Sequence, residues 1–353
     1  SGSFALGMTV SSITMIAAAL FELPTGIISD RLGRRRTVII GAFFAVLSVI
    51  FYAIGQSFWF LAIGAVIEGL SYSFYSGNND ALLHDSLAEQ GNEEEYSEFL
   101  GKVSSMFQIA LGISAIIGSI LASWSFALIM WLSVIPQVIC FILSFKMREP
   151  KISGEKSPNI YVHLKEAIQK FKQNKKLRLI SISSIITFGV GEAFFQFQAA
   201  FYNTLWPIWA LGIPKTLSHI FAAASFHFSG KLLKKYSEIM TLLVGGIFQR
   251  LIGFISVLFP SVLSPLLMSS ASLFYGVTTV ARNALMQREF SPHQRATMGS
   301  LNSFAGSIFF GIIAFALGYI ADIFNPTMAM LVAQILLLPT LFIYWKVYRH
   351  TSQ

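Results

Sequence analysis

Apolar runs of about 20 residues, the length an α-helix needs to cross the hydrocarbon core of a bilayer, recur along almost the whole chain and are separated by short polar breaks. Eleven spanning helices are predicted, at 3–29, 37–55, 58–87, 99–124, 125–145, 177–209, 214–233, 239–260, 263–288, 296–324 and 327–347. Most connections are a few residues long. The one long interruption, 146–176, is polar and basic and contains Pro150, Gly154 and Pro158. Within it Ile160, Leu164, Ala167, Ile168 and Phe171 recur at helical spacing with lysines on the opposite face. That pattern predicts an amphipathic helix lying on the membrane surface as part of a linker. The organisation expected is a first bundle over 1–145, a linker over 146–176 and a second bundle over 177–353.

Composition sharpens this picture. Of 353 residues 54% are hydrophobic and only 12% charged, and the mean hydropathy is +0.65, too little charge for the surface of a soluble domain. The net charge of +8 could point to nucleic acid. Its distribution excludes that reading, because the basic residues gather at the ends of apolar runs. Arg31, Arg34, Arg35 and Arg36 fall on one side of the membrane with Lys102, the basic linker, Lys231, Lys234, Lys235, Arg288, Arg295, Lys346 and Arg349. Lys215 stands alone on the other side. The basic side is expected to be cytoplasmic, in a multi-pass protein of a bacterial inner membrane. The lone Cys140 lies in an apolar run, so disulfides play no part.

The chain also repeats itself. The segment from Thr25 leads into a basic loop, and so does the segment from Ser229, 204 positions later. The stretch from Asn79 to Asp85 matches that from Arg282 to Arg288 at an offset of 203. Agreement of the two offsets across the long linker predicts two similar bundles in parallel orientation. By the same offset the helix at Leu177 has its counterpart before residue 1, so a further N-terminal helix, and twelve in all, is expected of the native protein.

Gly26-Ile27-Ile28-Ser29-Asp30-Arg31-Leu32-Gly33-Arg34-Arg35-Arg36 resembles G-x-x-x-D-R-x-G-R-R, the signature of the major facilitator superfamily between its second and third helices. The preceding Phe21-Glu22-Leu23-Pro24-Thr25 resembles a form common in bacterial drug-exporter-like members. The stretches from Ser76 to Leu87 and from Phe290 to Thr297 are similar to further parts of the family pattern. The fifth-helix glycine-proline motif of exporters is absent, and Lys234 stands where the first half has Asp30. The resemblance implies an all-α polytopic membrane protein of two pseudo-symmetric six-helix bundles, the spans here corresponding to helices two to twelve.

It also implies a cytoplasmic gate made of Asp30, Arg31, Gly33, Arg34, Arg35 and Asp85. Asp30 would sit at the N-terminus of the eleventh native helix, where free N–H groups favour an anion, and Arg34 or Arg35 would pair with Asp85. Glu22 is assigned to the gating region.

Charges within spans are costly, roughly 2.5–3.5 kcal/mol each on insertion scales, and point to a cavity or a pairing partner. Glu22, Glu68, Asp80, Glu192 and Arg250 are such charges. Glu68, Tyr72, Tyr75 and Asn79 follow one helical face, and the repeat maps the last three onto Tyr275, Thr278 and Arg282. Glu192, Gln196 and Asn203 share a face of the seventh native helix. In the superfamily the first, fourth, seventh and tenth helices line the central path, so these residues are the candidate substrate or proton site. Glu192 is the candidate proton-coupling carboxylate, because burial disfavours a carboxylate's charged form and a nearby cation restores it.

The function expected is secondary active transport of a small molecule by alternating access, with proton-coupled export of a hydrophobic or cationic compound preferred. Uptake of a nutrient, or a non-transporting receptor on the same scaffold, are the alternatives. The chain lacks an ATP-binding G-x-x-x-x-G-K-[ST] loop and the H-E-x-x-H and G-x-S-x-G patterns of hydrolases, so an enzyme is not expected. His84, His219 and His227 lack metal-ligand spacing, and no metal or cofactor is expected. The partners expected are a small-molecule substrate, protons and the lipid bilayer, but no nucleic acid, and the chain is expected to be a monomer.

Overall fold

The computed structural model describes residues 2–55, 57–76, 78–150, 169, 171–289 and 295–351; of Asp30 and Arg31 it describes the backbone alone. The described residues are helical, without strands. They group by contact into two units, one of Ser1–Phe107 with Leu121–Pro158, the other of Gln108–Ile120 with Asn159–Gln353.

The first unit is built on α1 (Phe4–Leu32), α2 (Arg34–Ile54), α3 (Phe58–Tyr75) and α4 (Asn78–Glu89), with α6 (Phe126–Ser144) and the ends of α5 (Tyr96–Trp124). Caps mark the starts: the Ser3 hydroxyl accepts the Leu6 N–H at 3.2 Å, and the Ser125 hydroxyl accepts that of Leu128 at 3.3 Å. Two stops are glycines at positive φ, Gly33 at 91° and Gly55 at 45°, where a side chain would be strained. Between α1 and α3 the backbones approach closely. A Cβ on Gly69 would come within 2.5 Å of the Thr14 carbonyl oxygen and 2.7 Å of Ala17 Cβ. Buried Thr25 uses the same proximity, its hydroxyl reaching the Ser73 carbonyl oxygen at 3.0 Å. Small residues at a seam between apolar helices are how helices associate when lipid is as apolar as they are.

The second unit holds α7 (Lys175–Asn203), α8 (Gly212–Lys235), α9 (Glu238–Leu258), α10 (Ser264–Ser270), α11 (Tyr275–Arg288), α12 (Arg295–Ile323) and α13 (Pro326–Thr351). α7 packs on α12 and α13, α9 on α11 and α13, and α8 on α11. Leu177, Ile180, Leu242, Ala281, Tyr344 and Val347 form its buried core, with Phe171 packed against it. The middle of α5 belongs here too: Thr216 donates to the Gly112 carbonyl at 2.8 Å, and His219 pairs with Gln108 at 2.9 Å.

All eleven expected spans are helical, with three corrections. The span at 58–87 breaks after Tyr75, where Ser76 turns extended at ψ 124°. The span at 263–288 is α10 and α11 joined by a 3-10 turn at Ala271–Phe274. The span at 177–209 stops at Asn203, and the chain turns before Pro207 while the Trp206 indole donates to the Val262 carbonyl at 2.8 Å. Nine helices among the described residues are long and apolar enough to cross a membrane. α8 and the α10–α11 ribbon fall outside that number: the ribbon is broken, and α8 carries Ser218, His219, Ser225, His227 and Ser229. The surface helix expected over 160–176 lies for the most part outside the described residues. Outward faces are apolar: Trp131, Ile139, Leu251, Ile312 and Phe342 are all exposed, as a lipid-facing surface requires.

The Gly69 seam makes a prediction. Gly69→Ala forces α1 and α3 apart and lowers the unfolding temperature in detergent, at a cost of roughly 1–3 kcal/mol. Gly118→Ala, where nothing lies within 4 Å of the new Cβ, leaves it unchanged or raises it. Equal unfolding temperatures for the two variants would contradict the close approach.

Candidate functional site

Four polar clusters stand out, two in each unit, and the first of them has a counterpart in the second unit. At the α1–α2 turn of the first unit, Glu149 sets its carboxylate over the first N–H groups of α2. Arg34 N donates to Oε1 at 2.6 Å and Arg35 N to Oε2 at 2.8 Å, the place where a helix N-terminus favours an anion. The Arg34 guanidinium lies 3.6 Å from Asp85 on α4 and 3.3 Å from the Ser29 hydroxyl. Arg35 donates to the Phe145 carbonyl at the end of α6, at 2.8 Å. Buried Asn78 links both sides, accepting from Ser29 at 2.7 Å and donating to the Arg34 carbonyl at 3.1 Å. Gly33 permits this turn by its positive φ, and a Cβ there would meet the Glu149 carboxylate at 2.6 Å. The pairing expected of Asp30 lies outside the described residues, as does the role of Arg31. Glu149, Ser29 and Asn78 were not singled out from the sequence; a glutamate in a basic linker carries no local signal.

The repeat contains the same tie with its charges exchanged. In the second unit Glu238, at the start of α9, binds Arg288, at the end of α11, through both guanidinium nitrogens, one contact at 3.3 Å. Arg34 and Glu238 are 204 positions apart, Asp85 and Arg288 203. Next to it Glu289 takes Lys176 Nζ at 2.8 Å and the Asn174 amide at 2.8 Å, fastening the start of α7.

The second cluster surrounds Glu68. Its Oε2 accepts from the Tyr52 hydroxyl at 2.7 Å and from Thr14 at 3.1 Å, and its Oε1 accepts from Tyr72 at 3.2 Å. The single stripe expected to continue through Tyr75 and Asn79 is corrected. Tyr75 lies against Gly41 of α2, where a Cβ would meet its ring at 2.9 Å. Asn79 and Asp80 are exposed on α4, beyond the break that resets the helical register.

In the second unit Glu192 lies in α7, partly buried. Gln196 hydrogen-bonds to it from the next turn, and Lys215 of α8 acts on it electrostatically. The Lys215 ammonium is turned inward: it donates to the Phe195 carbonyl and to Gln198 Oε1, each at 3.0 Å, and sits 3.4 Å from the centre of the Phe195 ring. Reading Lys215 as an outer-side charge missed this, because a lysine beside Pro214 at the head of a span looks like a loop residue. Asn203, expected on the Glu192 face, is exposed at the last turn of α7.

The fourth cluster brings together residues that the sequence offered separately. Arg250 of α9 and Arg282 of α11 line one small pocket with Thr187, Thr278, Thr340 and Tyr344. Arg282 Nε donates to the Tyr344 hydroxyl at 3.3 Å. Tyr275, placed with Thr278 and Arg282 by the repeat, is half exposed and packs edge-on against Phe226 at 5.9 Å. Among the described residues no cluster of three or more potential metal ligands occurs.

The chain matches the Major Facilitator Superfamily over residues 2–314, most of its length. The chain belongs to this superfamily. An uncharacterized transporter of the same superfamily from Methanocaldococcus jannaschii is 23% identical over 338 residues, 90% of this chain and 81% of that protein. Among solved structures, the nucleoside transporter NupG matches with a TM-score of 0.83 at 14% identity, over 98% of this chain and 91% of that one. A bacterial homologue of the human lysosomal transporter Spinster matches at 0.71 and 15%, over 98% and 95%. Likeness at that identity shows the fold: this superfamily member shares the all-helical architecture of those transporters. As a member of the superfamily it is a multi-pass membrane protein and a secondary transporter.

The Glu149 cap yields a prediction for this superfamily member. Glu149→Ala removes the acceptor from the first N–H groups of α2, worth ~1 kcal/mol. Hydrogen exchange at the Arg34 and Arg35 amides should then speed up about fivefold, with α3 amides unchanged. Unaltered exchange at both amides would show that the cap does not hold the turn.

Proposed function

We propose that this transporter moves its small-molecule cargo by alternating access and couples that movement to protons through Glu192. The observation that carries the reading is the pairing of environments inside the second unit. Glu192 lies in an apolar span with Gln196 as its hydrogen-bonding neighbour, and with Lys215 as the cation that acts on it. Lys215 in turn is bound by acceptors of α7 itself, Phe195 O and Gln198, so its charge is held beside the acid. A carboxyl group in that position is neutral or charged according to what else approaches, which is the physical requirement for coupling. Glu68 serves this role less well, because its two oxygens already accept hydroxyl hydrogen bonds from α1, α2 and α3.

The Arg34–Asp85 and Arg288–Glu238 ties are the proposed cytoplasmic latches, one in each unit, together with Asp30 as the resemblance implies. Each fixes the start of one helix to the end of another and must loosen for those ends to move. The direction proposed is export, on the exporter-like form of Phe21 to Thr25. A hydrophobic cargo fits that reading. A cationic one does not fit the interior of the second unit, where the cations Lys215, Arg250 and Arg282 stand with the acid Glu192.

Glu192→Gln should abolish pH-gradient-driven flux in proteoliposomes and leave cargo exchange measurable. The cargo for this assay comes from a thermal-shift screen of metabolites and drugs. Full gradient-driven flux in Glu192→Gln would place the coupling group elsewhere, whereas loss of exchange as well would mean that the residue holds the structure or the cargo.

A further inference from the structure

The Arg250–Arg282 pocket has an unanswered charge. Both guanidiniums line it, from α9 and α11, and none of the described residues that line it is a carboxylate. Arg250 Nη1 is buried and makes no hydrogen bond to any described residue. Among the described residues, Arg282 donates to the Tyr344 hydroxyl and pairs with no carboxylate. One uncompensated cation inside a membrane bundle is already expensive, and a second of like sign beside it adds repulsion instead of relief.

The hydroxyls around the arginines do not supply the missing charge. Thr187 donates to the Ser183 carbonyl, Thr278 to that of Phe274 in the turn before α11, and Thr340 to that of Leu337, at 2.6–2.7 Å. Their protons are therefore engaged, Gln249 on the same wall gives its amide to the Ala271 carbonyl at 3.4 Å, and the charged donors lining the space are the two guanidiniums. Tyr344 is engaged as well: its hydroxyl accepts from Arg282 and is in hydrogen-bond contact with the Ser183 and Thr187 side chains. Convergent cationic donors without an acid form a receptor for an anion. The free space is ≈20 Å³, room for about one water-sized group. A large polyanion is excluded by size, and a cation by charge.

We propose that this pocket binds a compact monovalent anion between Arg250 and Arg282. Two sources share that chemistry, an inorganic ion such as chloride and the carboxylate end of an organic molecule. Binding is an equilibrium property of the second unit and does not depend on Glu192 or on proton coupling, so failure of one proposal leaves the other standing.

The test uses the purified full chain in detergent, in a zwitterionic buffer free of small anions. Sodium chloride and sodium acetate are titrated separately while the unfolding temperature and tryptophan fluorescence are followed. A saturable rise with at least one of them is expected. Chloride alone acting identifies a resident inorganic anion, and preference for acetate identifies the carboxylate end of an organic ligand. Arg250→Gln and Arg282→Gln should each raise the apparent Kd about tenfold or more. Arg250→Lys, which keeps charge but loses the planar fork, should fall between. Folding of the variants is checked independently: without anion, Arg250→Gln should unfold no lower than the parent chain, since its unpaired charge is gone. A response that is linear in salt, or one equally strong in both glutamine variants, would overturn the proposal.

Discussion

A charged or hydrogen-bonding group placed in hydrocarbon has no water to fall back on, and each one in this transporter must find its answer within the protein. That constraint explains why its interior polar groups come in sets. Glu68 is met by hydroxyls from three helices, one of them its own. Lys215 is met by a backbone carbonyl, an amide oxygen and a ring face, all from α7. Arg250 and Arg282 are the exception of most consequence: the hydroxyls of Tyr202 and Ser256, also buried without a hydrogen-bond partner among the described residues, are neutral, whereas here two like charges face one space.

The same constraint ties site geometry to helix packing. A hydroxyl answers a buried acid only if two helices lie close, and they lie close only where side chains are small. Gly69 lets α1 approach α3, and Thr14, whose carbonyl a Cβ at Gly69 would strike, is one of the residues that reach Glu68. In the second unit a Cβ on Gly276 would come within 2.4 Å of the Phe226 backbone nitrogen, and one on Gly245 within 2.5 Å of the Thr278 methyl. Those contacts fix α11 against α8 and α9, and with it the approach of Arg282 to Arg250. Small residues in this protein thus set how closely its polar groups approach one another.

Much of this was legible in advance. Span lengths and the distribution of lysine and arginine were enough for the all-helical membrane architecture, since hydrocarbon thickness leaves few alternatives. Glu68, Glu192 and Arg250 stood out because ionisable residues inside spans are rare. What stayed hidden depends on tertiary direction. Helical periodicity puts Tyr75 and Asn79 in line with Glu68, but it cannot register the break at Ser76 that turns α4 away. It assigns Lys215 to a boundary, whereas α8 already starts at Gly212, and Lys215 in its first turn reaches the Phe195 carbonyl and Gln198 of α7. The shared pocket of two arginines 32 positions apart follows from the packing of α9 on α11, which no local pattern encodes. The Glu149 cap was hidden for the same reason, its carboxylate acting on residues 115 positions earlier.

The central claim is that Glu192 is the carboxyl group in the membrane interior that exchanges its proton. Infrared difference spectroscopy of the purified transporter between acid and alkaline pH reads protonated carboxyl groups directly, without knowledge of the cargo. The account predicts a pH-dependent carboxylic-acid band that disappears in Glu192→Gln and persists in Glu68→Gln. A band that survives in Glu192→Gln and is lost in Glu68→Gln would contradict it and move proton exchange to the first unit.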